Sequence, residues 1–480
     1  MIEAGSYKGQ TLAVFGLGRT GITAALSLQK GGAEVWAWDD REEGRRLAKE
    51  KGVHIRDLRD ADWSNFDACV LSPGVPDYLP EVHWSAAKAK AAEVPIICDI
   101  EIFAKEIAAR APDNRPKIIA ITGTNGKSTT TALIGHILKS CGKDAQIGGN
   151  IGRGVLDLDA MHAGIYYVLE LSSYQLERTY SLKADVAIFL NLTPDHLERH
   201  GDMSRYELAK RHIFKNQTKE DTVIIGVDND TGRRICTELK AKNGRAIIPI
   251  SGRKSLGFGA FALKGKLYCA MEKTCRFIGD LAQAKALEGE HNSQNAAAAY
   301  AALKSLGLSQ EAISKGILTF PGLAHRMEPM GAVGPVRYVN DSKATNMEAA
   351  ARALSSYENI YWIAGGQSKS ENFGDITHLF PNIKRAYLIG EAATEFKNNL
   401  DKHKVSCKIS NTIEMAVLCA TRDAINSKHP HPVILLSPAC ASFDQFKDFE
   451  VRGDAFRAEV QKLITLFHQE KERRHAGECA

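Results

Sequence analysis

A chain of 480 residues with 44% hydrophobic and 25% charged side chains is too long for one hydrophobic core, so several domains are expected. Sixty-two basic against 57 acidic residues leave a net charge of +5 that is not gathered into a basic stripe, and no apolar run approaches the roughly 18 residues of a membrane span. These features exclude a membrane-inserted helical protein and speak against nucleic acid as a partner. The ten cysteines are scattered without a C-x-x-C pair, which points to buried free thiols rather than zinc or a redox dithiol. The first residues run into a strand-like segment with no basic and apolar leader, so a reducing, cytoplasmic location is expected.

In chain order, β-like apolar runs alternate with helical patterns, the signature of parallel sheets covered by helices and hence of an α/β fold throughout. A strand over residues 11–16, a helix over 20–30 and strands over 34–38 and 68–71 come first. Ala111-Pro-Asp-Asn-Arg-Pro116 then sets two prolines and turn formers ahead of a buried strand at 117–122, which marks a linker. Strands are predicted at 166–171, 186–190 and 222–226, with a smaller β-rich stretch over 245–279 that turns at Lys264-Gly265. A second break at Phe320-Pro-Gly-Leu323 precedes strands at 336–340, 360–364, 386–389 and 433–436. The predicted domains are residues 1–110, 111–321 and 322–480.

Three strand ends carry chemistry. Gly16-Leu-Gly-Arg-Thr-Gly21 matches G-x-G-x-x-G, whose glycines allow a tight turn and close backbone approach while the helix N-terminus faces a phosphate. Asp39 or Asp40 supplies the acidic residue expected some 20 positions on. A turn serving only strand–helix packing is the plain alternative. As ligands, a nicotinamide dinucleotide and a uridine nucleotide both stay open.

Thr122-Gly-Thr-Asn-Gly-Lys-Ser-Thr129, between a strand and a helix, has the context of a P-loop. Its first glycine is Gly123, whereas the usual spacing would place one at Ile121. Backbone N–H groups to cradle phosphates, Lys127 to neutralise them and Ser128 to ligate Mg²⁺ remain, so ATP is the expected ligand. Glu170 and His196 each follow an apolar run, at the carboxyl edge of the same sheet, where α/β proteins bind ligands. Beside a nucleotide they could hold a divalent cation. Taken singly, each reads as a solvated residue, and Lys210, inside a helical stretch, as a surface lysine.

With Glu170-Leu-Ser-Ser-Tyr-Gln-Leu-Glu177, Asp195-His196, His291-Asn292-Ser-Gln-Asn295, His325-Arg326, Asn340-Asp-Ser-Lys-Ala-Thr-Asn346 and Ser437-Pro-Ala-Cys-Ala-Ser-Phe-Asp-Gln-Phe446, the P-loop completes a set of seven ordered motifs. In these the chain resembles the Mur ligases, the ATP-dependent amide-forming enzymes of peptidoglycan precursor synthesis. The resemblance implies three domains: an N-terminal Rossmann-like domain for the UDP moiety, a central P-loop ATPase-like parallel sheet, and a C-terminal Rossmann-like domain for the amino acid. Within the family the chain is most similar to the D-glutamate-adding branch. It has Asn125 where the alanine-adding branch has a P-loop histidine, and it lacks the Asp-Asn-Pro-Arg motif of the diamino-acid-adding branch. Tyr174 and Phe443 stand where many of that branch have Phe and Leu, and Phe443 would reshape the amino-acid pocket.

The resemblance implies that UDP-N-acetylmuramoyl-L-alanine and D-glutamate are joined through an acyl phosphate, with release of ADP and phosphate. It assigns ATP to Gly123, Thr124, Asn125, Gly126, Lys127, Ser128 and Thr129, the adenine to Asn292 and Asn295, and further nucleotide contacts to Arg326 and Asp341. It assigns one Mg²⁺ to Ser128 and Glu170 and a second to His196 and Lys210. The family's matching lysine is carbamylated by CO₂, and Lys343 would stabilise the acyl phosphate or the tetrahedral oxyanion. Arg19, Thr20, Asp39, Asp40, Ser72 and Asn150 match positions that hold the UDP-sugar. Thr345, Lys369, Ser442, Phe443 and Phe449 are the choices for D-glutamate, and a monomer is expected. Among rival readings, a folate polyglutamylating ligase is not expected to carry the N-terminal glycine-rich domain. An NAD-dependent oxidoreductase would leave the P-loop, Glu170, His196 and the two asparagines without a role. Substrate-dependent ATP hydrolysis would dispose of a non-catalytic scaffold.

Overall fold

The run Lys-Ile-Ile-Ala-Ile-Thr, buried after its first residue, forms strand Lys117–Thr122 and lies inside a nine-stranded sheet, as an uninterrupted apolar strand of a two-face-covered sheet should. The computed structural model describes every residue except 242–243, 288, 368–375 and 479–480. Two compact units are present, Met1–Pro321 and Gly322–Ala480, and each is taken by itself.

The first unit holds two sheets. The smaller has four parallel strands in the order Glu34–Trp38, Thr11–Phe15, Ala68–Leu71 and Ile96–Ile97. Helix Arg19–Lys30 leaves the first strand through the glycine-rich turn. A Cβ on Gly21 would lie 1.9 Å from the Gly16 carbonyl oxygen, so that position admits glycine alone.

The larger sheet runs Arg276–Asp280, Lys266–Cys269, Ala260–Leu263, Ala246–Ser251, Thr222–Gly226, Val186–Phe189, Lys117–Thr122, Tyr166–Glu170 and Ala145–Gly149. Its ladders are parallel except for the two that join the first three of these strands. Helices Lys127–Ser140, Glu290–Ser305 and Gln310–Leu318 share a core with one face. Glu290–Ser305 presents Ala296 to Ala299, Ala301 and Ala302 fully buried, small enough for close packing. The linker sequence forms a short turn at Pro112–Asn114.

Helix Asp99–Ala108 ties the two sheets together. Phe103 packs edge-on against Tyr167 at 5.1 Å, and Glu101, 1% exposed, accepts the N–H groups of Tyr180 and Ser181 at 2.6 and 2.8 Å and the Ser181 hydroxyl at 2.6 Å. Every polar atom of that carboxylate is thereby satisfied, which a buried charge requires.

The second unit is a six-stranded sheet ordered Glu328–Val333, Val336–Asn340, Val433–Leu436, Ile360–Gly365, Ile383–Ile389 and Cys407–Asn411, parallel except at its first, antiparallel edge. Two separate apolar clusters cover it. Among the described residues no helix is long and apolar enough to cross a membrane. The nine described cysteines are free, but Cys275 is exposed and Cys141 and Cys407 are half-buried, so the expectation of buried thiols holds for only six.

Candidate active site

Parallel strands end at one edge, and two neighbours bracket the P-loop there. Glu170 pairs in register with Ile121 on one side, and Phe189 with Thr122 on the other, two residues before Asn191. The loop turns through Gly126 at φ +83° into helix Lys127–Ser140. A Cβ on Gly126 would meet Asn295 Oδ1 at 2.3 Å, so this glycine meets both a backbone and a space requirement.

Asn191 holds the loop's shape directly, with further side chains behind it. Asn191 accepts the Asn125 N–H at 2.9 Å and donates to the Asn125 carbonyl at 3.2 Å and to Gln294 Oε1 at 3.1 Å. Gln294 donates to Asp228 at 2.7 Å, and the Thr124 N–H donates to the Asn191 carbonyl at 3.0 Å. Asn295, 2% exposed, accepts the Thr130 hydroxyl at 3.2 Å and donates to Asn292 at 3.0 Å. Asn191, Gln294 and Asp228 had no role in the sequence reading, although Gln294 lies inside a quoted motif and Asn191 directly follows the strand predicted at 186–190. The available signal was an amide side chain just past a strand end.

Lys127 Nζ donates to the carbonyls of Gly123 and Thr124 at 2.9 and 2.8 Å. Lys210 corrects the surface-lysine reading. Only 2% exposed, on helix Met203–Arg211, it donates to the Gly123 carbonyl at 2.9 Å, with its Nζ 4.7 Å from the Tyr206 ring centroid. Burial, and then the charge of Lys127, push its ammonium well below the ordinary lysine value, which favours a neutral, nucleophilic amine. Tyr206 in turn meets the Thr124 hydroxyl at 3.3 Å.

Glu170 is 2% exposed. Its Oε1 accepts Asn150 Nδ2 at 3.0 Å, while its Oε2 is buried without a hydrogen-bond partner. An orphaned carboxylate oxygen costs free energy unless something positive meets it. His196, at φ +55°, stands before helix Leu197–His200, with its ring 5.2 Å from Tyr174 and its nitrogens 3.5 Å from Asp195 and 3.7 Å from Glu198. No group of three or more His, Cys, Asp or Glu gathers among the described residues. Mg²⁺ needs none, since it keeps several waters and takes one or two carboxylates plus substrate phosphates, and the orphaned Glu170 oxygen fits that demand.

At the carboxyl edge of the smaller sheet a cavity of about 500 Å³ is lined by Gly16, Thr20, Asp39, Asp40, Ser72 and His83, among others. Arg19 is not part of that lining, and Asn150 is found beside Glu170 instead. Asp39 accepts the N–H groups of Leu17 at 2.7 Å and Arg41 at 2.9 Å, shaping the turn. Asp40 accepts Trp84 Nε1 at 3.0 Å and stands 3.2 Å from His83 Nε2.

In the second unit the loops after Asn340 and Leu436 follow paired parallel strands and carry Asp341, Lys343 and Thr345 on one side and Ser442 and Phe443 on the other. Arg452, 1% exposed, joins them by donating to Ser342 Oγ and to the carbonyls of Ser342, Cys440 and Ala441 at 2.9–3.2 Å. Lys343 Nζ is 5.7 Å from the Phe449 ring centroid, Ser442 is buried and Phe443 is 66% exposed. Arg326 belongs to the turn before Met327, whose N–H donates to Asp341 at 3.2 Å. Lys369 lies outside the described residues.

Asp341 also accepts the Ser437 hydroxyl at 2.9 Å, yet burial raises its carboxyl from 3.8 to about 7. The ionised form is therefore disfavoured in the fold. That cost is absent below pH about 4, grows between 4 and 7 and is complete above 7. Asp341→Asn is expected to raise the melting temperature at pH 8 by at least about 3 °C, with the gain shrinking toward pH 4. Calorimetry across that range checks it, and a gain independent of pH would refute the cause.

Residues 121–303 match the family described as Mur ligase middle domain, and residues 325–440 that described as Mur ligase, glutamate ligase domain. The chain is 54% identical over 463 residues, 96% of its length and 98% of the relative's, to a UDP-N-acetylmuramoylalanine–D-glutamate ligase of Caulobacter vibrioides. It is 48% identical, over the same shares, to one of Rhizobium meliloti. Among solved structures, UDP-N-acetylmuramate–alanine ligase from Thermotoga maritima superimposes with a TM-score of 0.55 at 18% identity, covering 94% of this chain and 99% of that one, a likeness of fold.

Proposed function

The chain belongs to the Mur ligase family, and from that premise we propose that it joins D-glutamate to UDP-N-acetylmuramoyl-L-alanine through an acyl phosphate, in the cytoplasm. The single observation that carries the reading is the convergence of Lys127 and Lys210 on the Gly123 carbonyl of a P-loop flanked by Glu170. The relatives at 48–54% identity support D-glutamate as the amino acid. Membership in a ligase family decides against the oxidoreductase reading of the glycine-rich turn.

A carboxylate is a poor electrophile at an acyl carbon. Its oxygen first attacks the γ-phosphorus of ATP, expelling ADP, and the mixed anhydride then accepts the D-glutamate amine and expels phosphate. Each step gathers negative charge, so the protein's task is positioning and positive charge rather than an enzyme nucleophile. Lys127 and the start of helix Lys127–Ser140 face the phosphates. Ser128 and Glu170 would hold one Mg²⁺, and His196 with Lys210 a second. Bound there, the metal supplies charge neutralisation for the phosphates. Burial pushes the Lys210 amine toward its neutral form, which suits attack on CO₂, giving a carbamate and a proton and turning a donor into an oxygen ligand. The roughly 500 Å³ cavity takes the uridine nucleotide, with the start of helix Arg19–Lys30 toward its pyrophosphate. By the family pattern, Asn292 and Asn295 serve the adenine, Arg326 and Asp341 the nucleotide, Lys343 the developing oxyanion, and Thr345, Lys369, Ser442, Phe443 and Phe449 the D-glutamate.

The test is phosphate release with the UDP-sugar peptide and a panel of D- and L-amino acids. Release that depends on D-glutamate is expected. Release with another amino acid only would overturn the substrate assignment, and no release with any would overturn the ligase reading.

A further inference from the structure

Of the segments assigned to metal binding, those of Glu170, His196 and Lys210 each send an arginine into one loop of the neighbouring sheet. That loop, residues 72–79, follows strand Ala68–Leu71, and its residues 72–76 line the nucleotide cavity. Arg178 comes directly after helix Ser173–Glu177, eight residues beyond Glu170, and is 1% exposed. It donates to the carbonyls of Ser72 at 3.0 Å and Val75 at 2.6 Å and to Asp77 at 2.9 Å. Arg199, three residues after His196, donates to the same Asp77 oxygen and to the Leu79 carbonyl at 3.3 Å. Arg205, on the helix of Lys210, lies 4.6 Å from the ring centroid of Tyr78.

The junction is charged and partly sealed: Arg178 and Arg199 are buried, Asp77 is half-buried, and Arg205 and Tyr78 are exposed. Burial alone would raise the Asp77 carboxyl, but the two guanidiniums hold it at about 2, so it stays ionised at neutral pH. Arg199 also lies 5.5 Å from the Tyr174 ring centroid, the ring that packs on His196. A shift of the loop on filling the cavity would therefore be felt at the Glu170, His196 and Lys210 segments through direct bonds. A lone buried ion pair is weak support for stability. Three converging arginines on a loop that lines a ligand cavity are arranged for positioning.

We propose that residues 72–79, with Asp77 as the junction, are a positioning element that couples occupancy of the nucleotide-sugar cavity to the phosphate side of the site. The proposal rests on the reading of the cavity as the uridine site and of the P-loop as the ATP site. By reciprocity, whatever ATP does to UDP-sugar affinity the UDP-sugar does to ATP affinity, by the same factor.

The experiment measures, by titration calorimetry, UDP-N-acetylmuramoyl-L-alanine binding to the full chain with and without a saturating non-hydrolysable ATP analogue and Mg²⁺. In the wild type the analogue is expected to change that affinity by about 10-fold. In Asp77→Asn the factor should fall to about 2-fold or less while each ligand alone still binds, and Arg205→Ala should lower it partway. Arg205 and Tyr78 form an exposed pair, so Arg205→Ala alone decides the matter if Asp77→Asn does not fold. An unchanged factor in the folded variants, or a factor of one in a wild type that binds both ligands, overturns the proposal. Failure of the wild type to bind either ligand overturns the site assignment beneath it.

Discussion

Lys127→Ala is expected to cut phosphate release by about 100- to 1,000-fold, while UDP-sugar binding measured without nucleotide stays within about twofold of wild type. The Lys127 amine is tied to the P-loop carbonyls of Gly123 and Thr124, whereas the cavity proposed for the UDP-sugar is lined from the four-stranded sheet. In the proposed role, the charge that the lysine supplies acts where the γ-phosphoryl group gathers negative charge, and no group of the cavity would replace it. Phosphate-release kinetics and calorimetry on the same preparation check both halves. Parallel loss of UDP-sugar affinity would refute the separation of the two sites.

Lys210→Ala is expected to lose at least about 100-fold in activity and to regain part of it on addition of acetate or another short carboxylate. Truncation leaves a gap against the Gly123 carbonyl and Tyr206, and a small acid that enters it would supply the oxygens of the proposed carbamate. Lys210→Arg keeps a cation that cannot be carbamylated and should be inactive without rescue. Wild-type activity in Lys210→Ala would remove the argument for a second metal.

The central strands were legible in the sequence because their burial on both faces demands unbroken apolar runs, as in Lys117–Thr122 and Val433–Leu436. Four strands were missed: Ile96–Ile97, Ala145–Gly149, Glu328–Val333 and Cys407–Asn411. Each lies at a sheet edge, where pairing on one side relaxes that demand and admits the Gln and Gly residues of Ala145–Gly149 or the Pro and Gly of Glu328–Val333. The site divided the same way. Gly126, Lys127 and Glu170 carry local patterns that can be read directly. The burial of Lys210, the Asn191–Gln294–Asp228 chain and the Asp77–Arg178 pair come from residues far apart in the chain, and no spacing rule brings them together.

The buried seam around helix Asp99–Ala108 limits how relatives of this protein can exchange parts. A recombination crossover near residue 110 would join Glu101 to a foreign stretch in place of Tyr180 and Ser181, and Phe103 to a foreign ring pocket in place of Tyr167. Such hybrids keep the two main-chain N–H donors, which any residue supplies, but those without Ser181 leave one buried carboxylate oxygen without its donor, at a cost of about 1–3 kcal/mol. Crossovers that keep Ser181 and Tyr167 with helix Asp99–Ala108 should therefore be tolerated better than those that part them.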